Sequence, residues 1–277
     1  MSGQSNFLLS KWYMDCVSDT GDVFIGYAAL LRWKAFTLKY SSVLERQNDQ
    51  PTEVRTSLVK FSTPQVTDSL LHWSSDSLGV NGTWKALCAP VERTLFESEA
   101  GDIKWRCLQP RAAADIYIGR ERRLLRGLGY AEHIAITIAP WQLPIEELRW
   151  GRFLSERDSL VWIDWRGPHP LRLVLHNGVE AEAAEVNDSE VSLDEGRQIL
   201  RLEEKQILRE GALINTALSA IPGIGKILPL RSLNTYECKW RSRGLLEDSA
   251  SPEVGEGWAI HEIVRWVERS DETKNAR

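Results

Sequence analysis

Gly127-Leu128-Gly129-Tyr130-Ala131-Glu132-His133 returns as Gly255-Glu256-Gly257-Trp258-Ala259-Ile260-His261, with Gly, Gly, an aromatic, Ala and His at identical spacing and an offset of 128 residues. In each copy the apolar and aromatic residues alternate with others, the period of a strand rather than of a helix. A second, looser echo lies upstream of each copy. Trp12, Ser18 to Asp22 and Val23-Phe24-Ile25 parallel Trp150, Ser155 to Ser159 and Leu160-Val161-Trp162, at an offset of 137 to 138. Both echoes occur in the same order, so the chain reads as a duplication.

Working outward, the same kind of run recurs along the chain. Val23 to Trp33, Thr37 to Leu44, Gly82 to Leu87, Ile103 to Leu108, Ser159 to Trp165 and Thr235 to Trp240 are short and rich in Val, Ile, Trp, Tyr and Thr, and turn residues separate them. The fold class is all-β. Pro140 and Pro144 interrupt any central strand at the midpoint, which sets the boundaries: an N-terminal unit over 1–139 and a C-terminal unit over 145–277. Each has six to nine short strands, and unpaired edges are most simply removed by closing each sheet into a lipocalin-like antiparallel β-barrel. The exception is Gly211 to Ile221, whose Leu213, Leu218 and Ile221 spacing predicts a short helix ended by Pro222 and Gly223.

Composition excludes several function classes. The 277 residues are 43% hydrophobic and 26% charged, as in an ordinary globular protein. The net charge of -5 offers no global field for phosphates, so nucleic acid is not an expected partner. The longest uncharged stretch, Gly211 to Gly225, is too short to span a membrane; peripheral membrane contact stays compatible with the sequence. Four scattered cysteines with no C-x-x-C pair, and an N-terminus lacking a signal-peptide pattern, predict reduced thiols and a cytoplasmic location. No metal or cofactor motif is present, and Gly223-Ile224-Gly225-Lys226 lacks the Walker spacing. The oligomeric state is not readable. Arg120 to Arg126 and the acidic stretch Glu180 to Glu195 read as solvated loops.

Twelve Trp against six Phe and six Tyr is an unusual ratio. Indoles fill a wide interior or grip a flat ligand, and both readings stand. In Ser159 to Arg166, period two places Leu160, Trp162 and Asp164 on one face and Val161, Ile163 and Trp165 on the other. An Asp beside a Trp in a dry lumen would have its pKa raised and could act as a general acid; the alternative is that Asp164 pairs with Arg152 or Arg166. His133 and His261 fall on the face opposite Tyr130 and Trp258. Ala131, Ala135 and Thr137 would leave room over the His133 imidazole, although a histidine bonded to a backbone carbonyl is the simpler alternative. Glu132 and Glu262 point away from their neighbouring histidines, so neither Glu-His pair reads as a metal site. The candidate catalytic residues are Asp164 and His133. The candidate ligand-binding residues are Trp162, Tyr130, Trp165, Trp258 and His261.

Lys11-Trp12-Tyr13-Met14-Asp15, Gly26-Tyr27-Ala28, the Gly-x-Gly-Tyr strand and Leu148-Arg149-Trp150-Gly151-Arg152-Phe153 together resemble the carotenoid 1,2-hydratase (hydroxyneurosporene synthase) and AttH-like superfamily. The resemblance implies two lipocalin-like barrels in tandem and a pocket for an elongated apolar compound such as an isoprenoid or another lipid. In the hydratases it also implies proton-driven addition of water to a double bond by an acidic residue among aromatics. It does not place the hydratases' catalytic Asp on one residue of this chain. The expected function is binding, and acid-catalysed hydration or isomerisation, of an apolar unsaturated small molecule, a lyase activity of the kind used in carotenoid biosynthesis. A non-catalytic lipid or isoprenoid carrier and a carbohydrate-binding β module are the alternatives; Trp33, Trp84, Trp105, Trp162 and Trp240 sit within apolar alternating strands, which ranks the sugar-binding reading last.

Overall fold

Period-two runs become strands wherever the computed structural model describes the chain, which is over residues 7–47, 50–212 and 235–266. The first sheet is built from β1 (Phe7–Val17), β2 (Val23–Trp33), β3 (Phe36–Arg46), β4 (Glu53–Ser57), β5 (Gln65–Val66), β6 (Leu70–Ser75), β7 (Val80–Ala86), β8 (Val91–Ser98), β9 (Gly101–Ile118) and β10 (Arg123–Ile136). The second contains β11 (Glu147–Ser155), β12 (Ser159–Arg166), β13 (Leu171–His176), β14 (Val179–Glu180), β15 (Glu185–Val186), β16 (Glu190–Leu193), β17 (Gln198–Ala212), β18 (Tyr236–Asp248) and β19 (Ser251–Arg265). Pro140–Gln142, between the sheets, forms a single 3-10 turn.

The strand orders are β4-β3-β2-β1-β10-β9-β7-β6-β5, with β8 added on β9, and β14-β13-β12-β11-β19-β18-β17-β16-β15. Without β8 the two orders coincide strand for strand, and the pairings are antiparallel throughout. The chain is therefore a duplication of one lipocalin-like antiparallel unit. Gly129 pairs with Cys16 and Gly257 with Ser155, so the two glycines are equivalent. A Cβ at Gly129 would lie 2.5 Å from the Asp15 carbonyl oxygen, and one at Gly257 2.0 Å from that of Leu154. Only a residue without a side chain lets the closing strand approach so near.

The pairings correct the second sequence echo. Trp12 lies opposite His133, but the residue opposite His261 is Gly151, and Trp150 faces Glu262. The echo is slipped by one residue, and such a slip reverses the face of every side chain. Trp12 accordingly packs inside its barrel and Trp150 between the barrels.

Alternation along the strands produces three apolar layers. One fills the first barrel around Met14, Phe24, Trp73 and Trp84, and another fills the second around Phe153, Leu160, Trp162 and Leu200. The third joins the halves: Tyr13, Tyr27, Trp105 and Tyr130 of the first sheet meet Trp150, Ile163, Trp165 and Ile260 of the second in one cluster. We refer to this layer as the seam. The expected helix over Gly211 to Ile221 is corrected at its start, since Gly211 and Ala212 end β17. The rest of it, and Gly223 to Lys226, lie outside the described residues. No described helix is long and apolar enough to cross a membrane.

Candidate functional site

Polar side chains that strand alternation delivers to an apolar layer must find partners there, because an unpaired buried charge is costly. The seam holds several. β1 contributes Lys11, Tyr13 and Asp15, β10 contributes Tyr130 and Glu132, β11 contributes Trp150 and Arg152, and β18 with β19 contribute Glu237, Lys239 and Glu262.

Glu132 is the centre of this group. Its Oε2 accepts hydrogen bonds from Trp105 Nε1 at 2.6 Å, Tyr130 OH at 2.6 Å and Trp150 Nε1 at 3.3 Å, while Oε1 has no hydrogen-bond partner among the described residues. Burial pushes the carboxyl above the usual glutamate range, outweighing the three donors and the nearby Lys11 charge. The side chain is half-buried, so it keeps a face toward solvent-accessible space. Trp150 and Tyr130 rings lie 5.8 Å apart, and Tyr13 packs edge-on to Trp150 at 4.9 Å. The acid is therefore walled by aromatic rings.

Glu262 has the opposite environment. Burial alone would raise its pKa, but its ion pair with Lys239 and the charges of Lys11 and Arg209 hold it below the usual range. Lys239 is 2% exposed at its side chain, and its ammonium lies 5.3 Å from the Tyr13 ring centroid and 5.2 Å from that of Trp150. Two carboxyls in one seam with pKa values pushed apart form the pattern expected of an acid with an ionised neighbour.

Toward the other end of the seam, Asp15 and Arg152 form a bidentate pair, Nη2 to Oδ1 at 2.7 Å and Nε to Oδ2 at 3.0 Å, with both side chains fully buried. Tyr13 OH donates to the same carboxylate at 2.9 Å. Beyond the pair opens a cleft of ≈ 730 Å³ lined by Val17, Leu128, Leu154, Arg152 and Trp258.

The structure distributes the sequence candidates over three places. Tyr130, Trp165 and Trp258 belong to the seam layer. Asp164 and Trp162 project into the second barrel on the face that period two assigned them. Asp164 is 1% exposed and sits between two guanidiniums, with Arg166 Nε at 2.9 Å and Arg172 Nε at 3.0 Å; the paired alternative therefore describes its surroundings, with Arg172 in place of Arg152. Asp164 thus accepts from two guanidiniums. His133 and His261 occupy separate interiors. Each bonds a serine hydroxyl at 2.8 Å, His133 that of Ser10 and His261 that of Ser242, in place of the expected backbone carbonyl. The room expected over His133 is taken by Trp12, whose ring centroid is 4.6 Å away, and Trp240 stacks on His261 at 5.2 Å. Burial lowers both imidazole pKa values, that of His261 to about 3, so both are neutral. Among the described residues, no group of three or more His, Cys, Asp or Glu could hold a metal ion.

Sequence reading missed Glu132 as a chemical group, although it recognised that the side chain points away from His133. The available signal was its place two residues after Tyr130 on the aromatic face. Its donors Trp105 and Trp150 come from distant strands.

Tandem lipocalin-like barrels with an acid-bearing aromatic seam define the class of protein. Among solved structures, CghA superposes at a TM-score of 0.57 with 11% identity over 94% of this chain and 88% of that one. CghA with Sch210972 gives a TM-score of 0.55 at 11% identity over 94% and 89%. Kievitone hydratase from Nectria haematococca gives 0.50 at 13% identity over 92% and 88%. An AttH from Nitrosomonas europaea lies at 0.49 with 9% identity over 95% and 94%. At such identities the likeness is one of fold alone. No family model and no curated protein matches the sequence.

Proposed function

We propose that the protein binds an unsaturated, largely apolar small molecule in the seam between its barrels and transforms it by acid catalysis, with Glu132 as the general acid. The observation that carries this reading is a carboxyl raised by burial, anchored through one oxygen and surrounded by indole and phenol rings. Glu132 transfers its proton to one alkene carbon, forming a C–H bond and leaving positive charge on the other carbon. The ring faces around Glu132 that are not turned to the Lys239 ammonium stabilise that charge. Water adds to the cation, and the proton it releases returns to the Glu132 carboxylate, so the net change is one water added to one double bond. Loss of a different proton from the cation gives isomerisation instead. A structural neighbour named a hydratase agrees with this class of reaction. Glu262, kept ionised by Lys239, supplies a fixed negative charge near the developing cation.

The test is turnover of a panel of acyclic isoprenoids and other unsaturated lipids in isotopically labelled water, read as label incorporation by mass spectrometry. Glu132→Gln should abolish incorporation and leave ligand affinity within about tenfold, since the amide keeps the shape and cannot deliver the proton. Binding without label incorporation in the unmodified protein across the whole panel would refute the enzymatic reading in favour of a carrier.

A further inference from the structure

The seam contains two donors without a hydrogen-bond or ion-pair partner among the described residues. Tyr27, on β2, is 4% exposed, and its hydroxyl has no hydrogen-bond partner. Burying a hydroxyl unpaired is unfavourable by an amount comparable to a lost hydrogen bond. Lys11, on β1, makes no ion pair among the described residues, and its ammonium stands 4.9 Å from the Tyr27 ring centroid. The strand register explains the meeting: Tyr27 pairs with Tyr13 and Lys11 with Ala29, so Lys11 is the diagonal neighbour of Tyr27 on the face turned to the seam. The Arg209 guanidinium, 5.7 Å from the same ring, is committed to Glu237 and is not available to a ligand. Lys239 is likewise committed to Glu262.

We propose that Lys11 and Tyr27 form an oxygen-binding subsite, so that the ligand is an unsaturated compound carrying an acceptor oxygen, a conjugated carbonyl or its enolate, rather than a pure hydrocarbon. The proposal rests on the seam being the ligand site and adds the chemical class of the ligand. The Lys11 ammonium stands over the ring that carries the unpaired hydroxyl, so an oxygen entering this part of the seam meets a cation and a phenol donor, and charge-assisted bonds are the stronger ones. A carbonyl oxygen seated there satisfies the buried hydroxyl that folding alone leaves unpaired. It also orients the conjugated chain along the aromatic wall toward Glu132.

The probes are β-ionone, a conjugated ketone, and its deoxygenated hydrocarbon of the same carbon skeleton, titrated by quenching of the tryptophan fluorescence of the full chain. The ketone should bind at least about tenfold tighter than the hydrocarbon. Lys11→Met and Tyr27→Phe should each remove most of that ratio while leaving hydrocarbon affinity unchanged. Tyr27→Phe deletes a hydroxyl with no partner, so its Tm should not fall, which separates a lost ligand contact from a damaged fold. Equal affinity for the two probes, a ratio that survives both substitutions, or no binding of either probe would overturn the assignment. The ratio is a binding measurement without turnover, so a failure of Glu132 as the acid leaves it standing, and its own failure leaves the Glu132 test intact.

Discussion

Replacing Asp15 by Ala should destabilise the protein more than nearly any other single change in a polar residue. The Arg152 guanidinium would remain fully buried and lose both hydrogen bonds to Asp15, keeping the Trp258 carbonyl oxygen at 2.7 Å. Tyr13 OH would lose its acceptor as well. Stranding one member of a buried ion pair costs roughly 3–5 kcal/mol. For a chain of this size, each kcal/mol shifts the midpoint by roughly 2–4 °C, so the Tm should fall by roughly 10 °C. The pair joins β1 to β11, the first strands of the two sheets, and loosening it should expose seam aromatics as well as lower the Tm. Calorimetry with parallel tryptophan fluorescence reads both. The double variant Asp15→Ala with Arg152→Met should recover a large part of the loss, because it removes the unpaired charge. An Asp15→Ala cost below about 1 kcal/mol, or a double variant no better than the single one, would refute the pair as the lock between the halves.

Three further outcomes follow from the same structure. His261 stays neutral when folded, with a pKa of about 3 against 6.5 when unfolded, so the unfolded state takes up the extra proton; stability should fall as pH drops from 6.5 toward 3. The loss at full effect is roughly 5 kcal/mol, and His261→Gln should flatten the acid limb of a Tm–pH curve. Gly257→Ala should cost about 2 kcal/mol or more in chemical denaturation, because the new Cβ would lie 2.0 Å from backbone that cannot rotate away. Asp164→Asn should lower stability through its two arginine contacts yet leave turnover of any accepted substrate within severalfold, a comparison that separates its ion pairing from catalysis.

How far the sequence carries the account differs between elements. The Gly-x-Gly-aromatic repeat and the two faces of β12 were readable because they depend on period two within one strand. The Trp12 and Trp150 echo misled because a similar motif slipped by one residue looks alike in sequence and is inverted in space. Asp164 has the face predicted for it, but its chemistry comes from Arg172, across the β12–β13 pairing, and period two says nothing of partners. The seam was not legible. A ligand site in the lumen of a barrel, beside Asp164 or His133, was expected, whereas alternation sends Tyr13, Asp15, Glu132, Trp150 and Arg152 outward from their own barrels into a shared layer. No local pattern distinguishes an outward face that meets water from one that meets the other half of the chain.

The central claim is that burial in an apolar, aromatic seam raises the Glu132 carboxyl above the usual glutamate range. Infrared difference spectroscopy of the wild-type protein against Glu132→Gln, followed across a pH titration, measures this directly as the carboxylic acid band. The account predicts that the band persists above the ordinary glutamate value of 4.5. In the same titration, a carboxyl with a raised folded pKa contributes stability below 4.5 that is lost as pH rises through the folded value, so the wild type should lose stability relative to Glu132→Gln over that window. A carboxyl that ionises at or below 4.5, with no difference in stability between the two proteins as pH rises, would contradict it.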